Sequence, residues 1–232
     1  MLELREVTGG YVDIQVLRGV TIEVREGEIV ALLGPNGHGK STLLKAISGF
    51  HPATGGTISF LGEDIASLPA HDVVARGIAY IPEERHLFTD MTVLENLRMG
   101  AYTRAARKDL RDNLDAVFEI FPPLRYRQRQ LCMTLSGGEG RMVAIARGLM
   151  SSARLLLVDE PSIGLAPGVK KHVYEAIRRI NQERGITVLL VEQEIDYALR
   201  LAERLYLLKK GAVAFERRAS EADVDEIKEA YF

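Results

Sequence analysis

Three stretches of the chain hold residues whose types and spacing could handle a phosphate group. The first is GPNGHGKST, from Gly34 to Thr42. Gly34-Pro35-Asn36-Gly37-His38-Gly39-Lys40-Ser41 fits the spacing G-x-x-x-x-G-K-[ST] in full. Glycines let a backbone wrap close to phosphate oxygens, and a helix that starts at the lysine aims its free N–H groups at them. Lys40 suits the β- and γ-phosphates of a nucleotide, and the Ser41 hydroxyl suits Mg²⁺. The second stretch is LLLVDE, an apolar run that ends in Asp159 and Glu160. Asp159 suits the surroundings of the metal, and Glu160 suits the polarisation of an attacking water. The third is TLSGGE, in which Ser136, Gly137, Gly138 and Glu139 open an apolar-periodic helix. Serine followed three residues on by glutamate is also a capping box. A capped helix start is itself an anion site, so the chain carries two phosphate cradles.

The elements around these residues read as alternating strands and helices. LELREV (Leu2 to Val7) and VLRGVTIEVREG (Val16 to Gly27) alternate like half-buried strands. EIVALL (Glu28 to Leu33) is continuously apolar, as a strand covered on both faces should be, and it runs into the first cradle. A helix from Lys40 to Phe50, with Gly49 as its stop, follows that cradle. Further strands are expected over Gly55 to Ile65, Gly77 to Pro82, Leu155 to Pro161 and Ile186 to Gln193. A helix is expected from Val169 to Glu183, and a later one carries Tyr197, Leu201 and Leu205. Two short strands should meet at Lys210-Gly211, and a last helix should end at Tyr231 and Phe232. Charged helical patterns replace this style between about Met91 and Leu131. The chain therefore divides into a β/α core (1–90 and 151–232) and a helical insert (91–150) that carries LSGGE. Alternation of strand and helix implies a mainly parallel α/β sheet with helices on both faces.

Composition narrows the classes. At 232 residues the chain can bury a sizeable core. Its 30 basic and 32 acidic side chains leave no positive field that would favour nucleic acid. The single cysteine, Cys132, excludes an intrachain disulfide and reads as a small buried apolar side chain. The N-terminus lacks the apolar core of a signal peptide, and no apolar run is long enough for a membrane span. The expected location is cytoplasmic, with any membrane contact made through a partner.

LSGGE, placed between a glycine phosphate loop and an LLLVDEP strand, resembles the ATP-binding-cassette ATPases over essentially the whole chain. The resemblance implies a P-loop NTPase (RecA-like) core, an N-terminal antiparallel β sub-domain and an inserted α-helical sub-domain. It implies ATP and Mg²⁺ as ligands and a second cassette, identical or different, as a partner. Each ATP would lie between the phosphate loop of one subunit and Ser136, Gly137 and Gly138 of the other, which gives the second cradle its purpose. Tyr11 matches the aromatic that stacks on adenine, and Ser162-Ile163-Gly164-Leu165-Ala166 resembles a loop that crosses the dimer interface.

The chain also departs from the general pattern. Glu83 stands where glutamine usually links Mg²⁺ to the insert, and a carboxylate can still ligate the metal. Gln193 stands where a histidine usually contacts the γ-phosphate; its amide donates but cannot become a cation. Gly140 replaces a glutamine and weakens the helix start by up to about 1 kcal/mol. His38, inside the loop, is expected to be solvated. IPEERHLF, VEQ and DEPSIGLAP together resemble the ATPase subunits of branched-chain amino-acid importers. That resemblance implies transmembrane permease subunits, an external solute-binding protein and a place on the inner face of the membrane. A groove lined by Glu83, Leu87, Phe88 and Met91 is expected to take a short helix of such a permease. The alternatives are import of another solute, such as another amino acid, an amide or a urea-like molecule, and a weakly hydrolysing regulatory cassette.

Overall fold

The computed structural model describes residues 1–12 and 14–231. Two half-buried strands come first, β1 (Leu2–Tyr11) and β2 (Ile14–Val24), and they pair antiparallel. The fully buried β3 (Ile29–Leu33) leads to α1 (Lys40–Ile47). Next come β4 (Gly55–Phe60), β5 (Glu63–Asp64), the short α2 (Ala70–Ala75) and β6 (Ile78–Ile81). Five helices then follow without a strand: α3 (Val93–Gly100), α4 (Arg104–Lys108), α5 (Leu110–Ile120), α6 (Pro122–Tyr126) and α7 (Gly137–Leu149). The remainder alternates again through β7 (Leu155–Asp159), α8 (Pro167–Arg184), β8 (Thr187–Glu192) and α9 (Ile195–Leu201). It closes with β9 (Arg204–Lys209), β10 (Ala212–Arg218) and α10 (Val224–Tyr231). Phe232, expected in the last helix, lies outside the described residues.

The strands form two sheets. One is antiparallel, in the order β2-β1-β4-β5. The other, in the order β10-β9-β3-β8-β7-β6, is parallel from β9 to β6, with β10 antiparallel at its edge. Successive side chains of a strand face opposite sides of its sheet. Accordingly Val30 and Leu32 join a core with the antiparallel sheet and α1, including Leu4, Ile22, Leu43 and Phe60. Ile29, Ala31 and Leu33 join a second core with the helices, including Leu97, Val143, Ile177 and Ala198. Cys132 is buried in that second core.

Leu205 departs from expectation: it lies in β9 rather than in a helix with Tyr197 and Leu201. The Glu203 N–H donates to the Ile29 carbonyl at 2.9 Å, which draws the chain into the sheet. Helix α2 was also not expected, because it is short and only Val73 is buried along it.

A buried ion pair ties the sheet edge together. Arg204 donates from Nε and Nη2 to both oxygens of Glu28, at 2.7 and 2.9 Å, with both side chains under a tenth exposed. Burial pushes the Glu28 carboxyl up, but Arg204, the Arg25 N–H and the neighbouring cations outweigh it and hold the group below its usual range. A carboxylate with a lowered pKa stabilises the fold above its unfolded pKa, and the contribution is lost as pH falls through the folded value. Glu28→Gln should therefore lower stability by about 2 kcal/mol near neutral pH, since the buried Arg204 loses its bidentate partner and keeps only Glu216, at 2.6 Å, as a carboxylate. Urea unfolding at several pH values would check this, and the gap between the two proteins should close below about pH 4.

Candidate functional site

The chain leaves the sheet at Gly34, after β3. A Cβ on Gly34 would stand 2.3 Å from the Leu208 carbonyl oxygen, so only glycine passes there. Gly39, with φ 103°, precedes α1, whose start has no side-chain cap. Its first N–H groups are therefore open to an anion. The loop rests on the β9–β10 turn, where the Gly211 N–H donates to the His38 carbonyl at 3.1 Å. His38 is half-buried rather than solvated, and its ring Nδ1 is buried without a hydrogen-bond partner. Asn36 and Gly37 are exposed, while Lys40 and Thr42 are buried.

Lys40 is 4% exposed. Its ammonium donates to the Gly34 and Pro35 carbonyls at 2.8 and 3.2 Å and stands 3.5 Å from a Glu160 oxygen. Ser41 Oγ donates to Asp159 Oδ1 at 3.2 Å, and Tyr80 OH donates to Asp159 Oδ2 at 3.0 Å. Glu160 sits just past β7 with φ 42°, a left-handed conformation unusual for a side chain of its size. Its N–H donates to the Val191 carbonyl at 3.0 Å. Its carboxylate accepts a short hydrogen bond from the Gln193 amide. Burial pushes the Asp159 carboxyl up, with Glu160 adding to it against the Ser41 and Tyr80 hydrogen bonds and Lys40. Glu83, exposed just past β6, is also pushed up, by desolvation and then by Glu160 and Asp159. Carboxyls raised by burial first, and then by one another's charge, mark a place that a hard divalent cation would neutralise.

The second cradle lies at the start of α7. The Ser136 N–H and Oγ both donate to Glu139 Oε2 at 2.9 Å, and the Glu139 N–H returns to Ser136 Oγ at 3.4 Å. Arg127 pairs with the other Glu139 oxygen at 2.7 Å. Ser136 and Gly137 are exposed. The Glu139 carboxylate is thus occupied by the cap, which also takes the Ser136 and Glu139 N–H groups and leaves those of Gly137 and Gly138 at the helix start.

A family model described as ABC transporter matches residues 17–163. The chain belongs to the ABC transporter family. It is 45% identical over 213 residues to the high-affinity branched-chain amino acid transport ATP-binding protein BraG of Pseudomonas aeruginosa, covering 92% of this chain and 91% of that one. It is 38% identical over 221 residues to the probable branched-chain amino acid transport ATP-binding protein LivF of Archaeoglobus fulgidus, covering 95% and 93%. Among solved structures, the ATP-binding cassette MJ1267 superposes with a TM-score of 0.84 at 28% identity, covering 98% of each chain. The dimeric cassette MJ0796, in a post-hydrolysis state bound to ADP and Pi, superposes with a TM-score of 0.83 at 27% identity, covering 94% of this chain and 99% of that one. This cassette is an ATP-binding protein and an ATPase coupled to transport.

The fold of the cassette gathers Lys40, Ser41, Glu83, Asp159, Glu160 and Gln193 at one end of the parallel sheet. Tyr11 lies on β1, 41% exposed, with its ring stacked on His51 at 4.5 Å. A groove of about 850 Å³ opens between core and insert. Glu83 and Phe88 line it, but Leu87 and Met91 do not: Leu87 packs against the helical core instead. Gly140 has a reason that the sequence reading missed. A Cβ there would stand 3.1 Å from an Arg85 guanidinium nitrogen and 3.4 Å from Leu87.

Sequence reasoning also missed two buried charges. Glu192, 2% exposed, accepts from Ser162 Oγ at 3.2 Å, from the Gln193 and Glu194 N–H groups at 3.0 and 3.2 Å, and from Tyr174 OH. It holds the turn that presents Gln193. Arg141 is 3% exposed within α7. The signal for both was a charged residue inside an apolar run: VLLVE for one, GRMVAIA for the other.

Lys40→Ala removes the one buried ammonium that faces both the loop carbonyls and Glu160. It should weaken ATP binding by roughly tenfold to a hundredfold, the usual worth of a hydrogen bond to a charged group. Equilibrium titration with a fluorescent ATP analogue would measure the loss.

Proposed function

We propose that this cassette powers import of branched-chain amino acids by closing head to tail on a second cassette around ATP. The separation of the two cradles carries the reading. The loop at Gly34–Thr42 is completed by groups of its own sheet, whereas the exposed start of α7 has its Ser136 N–H taken by the Glu139 cap and offers the Gly137 and Gly138 N–H groups of its first turn to an anion from elsewhere. The dimeric structure of MJ0796, in a post-hydrolysis state bound to ADP and Pi, supports this arrangement. In this reading Gly34 to Thr42 cradle one ATP, Tyr11 packs on its base, and Ser136, Gly137 and Gly138 of the facing subunit meet its γ-phosphate. Lys40 exchanges the Gly34 and Pro35 carbonyls for phosphate oxygens. Glu160, held by Gln193, draws a proton from the attacking water.

Ser41, Asp159 and Glu83 would hold Mg²⁺, which would supply positive charge to offset that of the phosphates. The hydroxyl–carboxylate contact and the two raised carboxyls support that assignment.

The solute is assigned by similarity to BraG and LivF, since no residue of a cassette needs to meet the transported molecule. Among the described residues no helix is long and apolar enough to cross a membrane. Membrane contact is therefore assigned to permease subunits, with the groove beside Phe50, Tyr80, Phe88 and Met99 as the seat of a permease helix. A solute-binding protein on the far side would feed them.

Glu160→Gln should bind Mg-ATP without turnover and elute from a size-exclusion column as a dimer, and Ser136→Arg in that background should return it to monomer. A dimer indifferent to Ser136→Arg would end the head-to-tail reading. Loss of leucine uptake in cells lacking the chain tests the solute; unchanged leucine uptake with loss of another solute would reassign it.

A further inference from the structure

The segment after β6, Pro82 to Phe88, forms neither strand nor helix. It joins Glu83 at the catalytic end to Phe88 at the groove. Backbone without a ladder must satisfy its carbonyls in another way. Here two arginines of α7 do so. Arg141 Nη1 donates to the Pro82 and Glu83 carbonyls at 2.7 and 3.0 Å. Arg147 donates to the Arg85 and His86 carbonyls at 3.3 and 2.8 Å. In the other direction Arg85 Nη1 donates to the Gly137 carbonyl at 3.1 Å. The close approach is permitted by two glycines on α7. A Cβ on Gly140 would meet Arg85 and Leu87, and one on Gly148 would stand 2.9 Å from Ile81. Segment and helix therefore form one mechanical unit.

The two arginines differ in one respect. Arg147 reaches only the segment. Arg141 also reaches the core: its Nε donates to the Pro161 carbonyl at 3.0 Å and its Nη2 to the Asp159 carbonyl at 2.7 Å. Those carbonyls flank Glu160 on either side. The guanidinium thus engages four carbonyls from two sides of the site, and among the described residues no carboxylate accepts from it within hydrogen-bond distance. Burial lowers its pKa to about 10, opposed by the nearby carboxylates, so it stays a cation at neutral pH. A rigid planar fork is the side chain that can hold several acceptors in a set geometry.

We propose that Arg141 is a positioning residue for hydrolysis. It holds the backbone at Glu83 and on both sides of Glu160 in one register, and it ties that register to the helix whose first turn is the Ser136 cradle. The orientation of the cradle towards the facing nucleotide is then transmitted to the carboxylates of this subunit's own site. The inference rests on the roles given above to Glu83 and Glu160.

The test compares Arg141→Lys with Arg147→Met and Glu160→Gln in the intact cassette, alongside the unsubstituted protein. Lysine keeps the charge and the length but cannot reach both sets of carbonyls. Arg141→Lys should bind ATP within about threefold of the unsubstituted protein while kcat falls by about tenfold or more, because misplacement of about an ångström at a reacting centre is felt chiefly in turnover. Arg147→Met loosens the same segment without touching the core, so its kcat should stay within about twofold even where its melting temperature falls as far. Equal turnover in Arg141→Lys and the unsubstituted cassette would overturn the inference. So would a drop in kcat that is the same for Arg147→Met and follows stability alone. A Glu160→Gln cassette that still turns over would instead remove the role of Glu160, and that result is read separately.

Discussion

Hydrogen-bond register between parallel strands is the constraint on which the site depends. β3, β8, β7 and β6 lie side by side and run the same way, so their ends fall on one edge of the sheet. Leu33 stands opposite Glu192, Asp159 opposite Val191, and Ile81 opposite Val158. The next residues of the four strands are Gly34, Gln193, Glu160 and Pro82, followed by Glu83. Groups up to some 159 positions apart in the chain are thereby brought to one place. Ligand sites at the carboxyl ends of such strands are a general consequence of this geometry.

Gathering those ends concentrates charge in a poorly solvated place. Three carboxyls, at Glu83, Asp159 and Glu160, share the edge with one buried ammonium, that of Lys40. The surroundings answer with neutral donors: the Ser41 and Tyr80 hydroxyls for Asp159 and the Gln193 amide for Glu160. Behind them Glu192 is buried but fully engaged by two hydroxyls and two backbone N–H groups, as a buried carboxylate must be. The left-handed backbone at Glu160 belongs to the same economy of space, since it turns the chain out of the sheet while its N–H stays bonded to β8. What remains is a residual negative charge, consistent with the Mg²⁺ assignment proposed above.

The insert contributes a different kind of contact. Where the core uses ladder hydrogen bonds, α7 uses guanidinium groups on bare carbonyls and glycines that let the helix approach. These polar links add to the apolar face of α7, where Val143, Ile145 and Ala146 are buried in the same core as Ala31 and Val158 of the sheet.

Much of this molecule was legible in the order of its residues. The phosphate loop, the Asp159-Glu160 pair and the Ser136 cap are local patterns, since each needs only neighbours in the chain to take its shape. The buried strands were legible because a strand covered on both faces must be apolar throughout, and the change to charged helical periodicity marked the insert. Other features rested on contacts between distant segments, which no local pattern encodes. Leu205 lies in a strand because the Glu203 N–H, two residues before it, bonds the Ile29 carbonyl of the sheet. His38 is half-buried because the β9–β10 turn lies against its loop. Glu192 and Arg141 could be noticed as charges in apolar runs, but their partners at Ser162, Tyr174, Pro82 and Pro161 exist only in the folded chain. The sequence by itself determined which groups can do chemistry and on what kind of element each sits, because those properties follow from side-chain type and local periodicity. The tertiary structure alone decided which of those groups meet, because strand register and the approach of α7 are set by packing across the whole cassette.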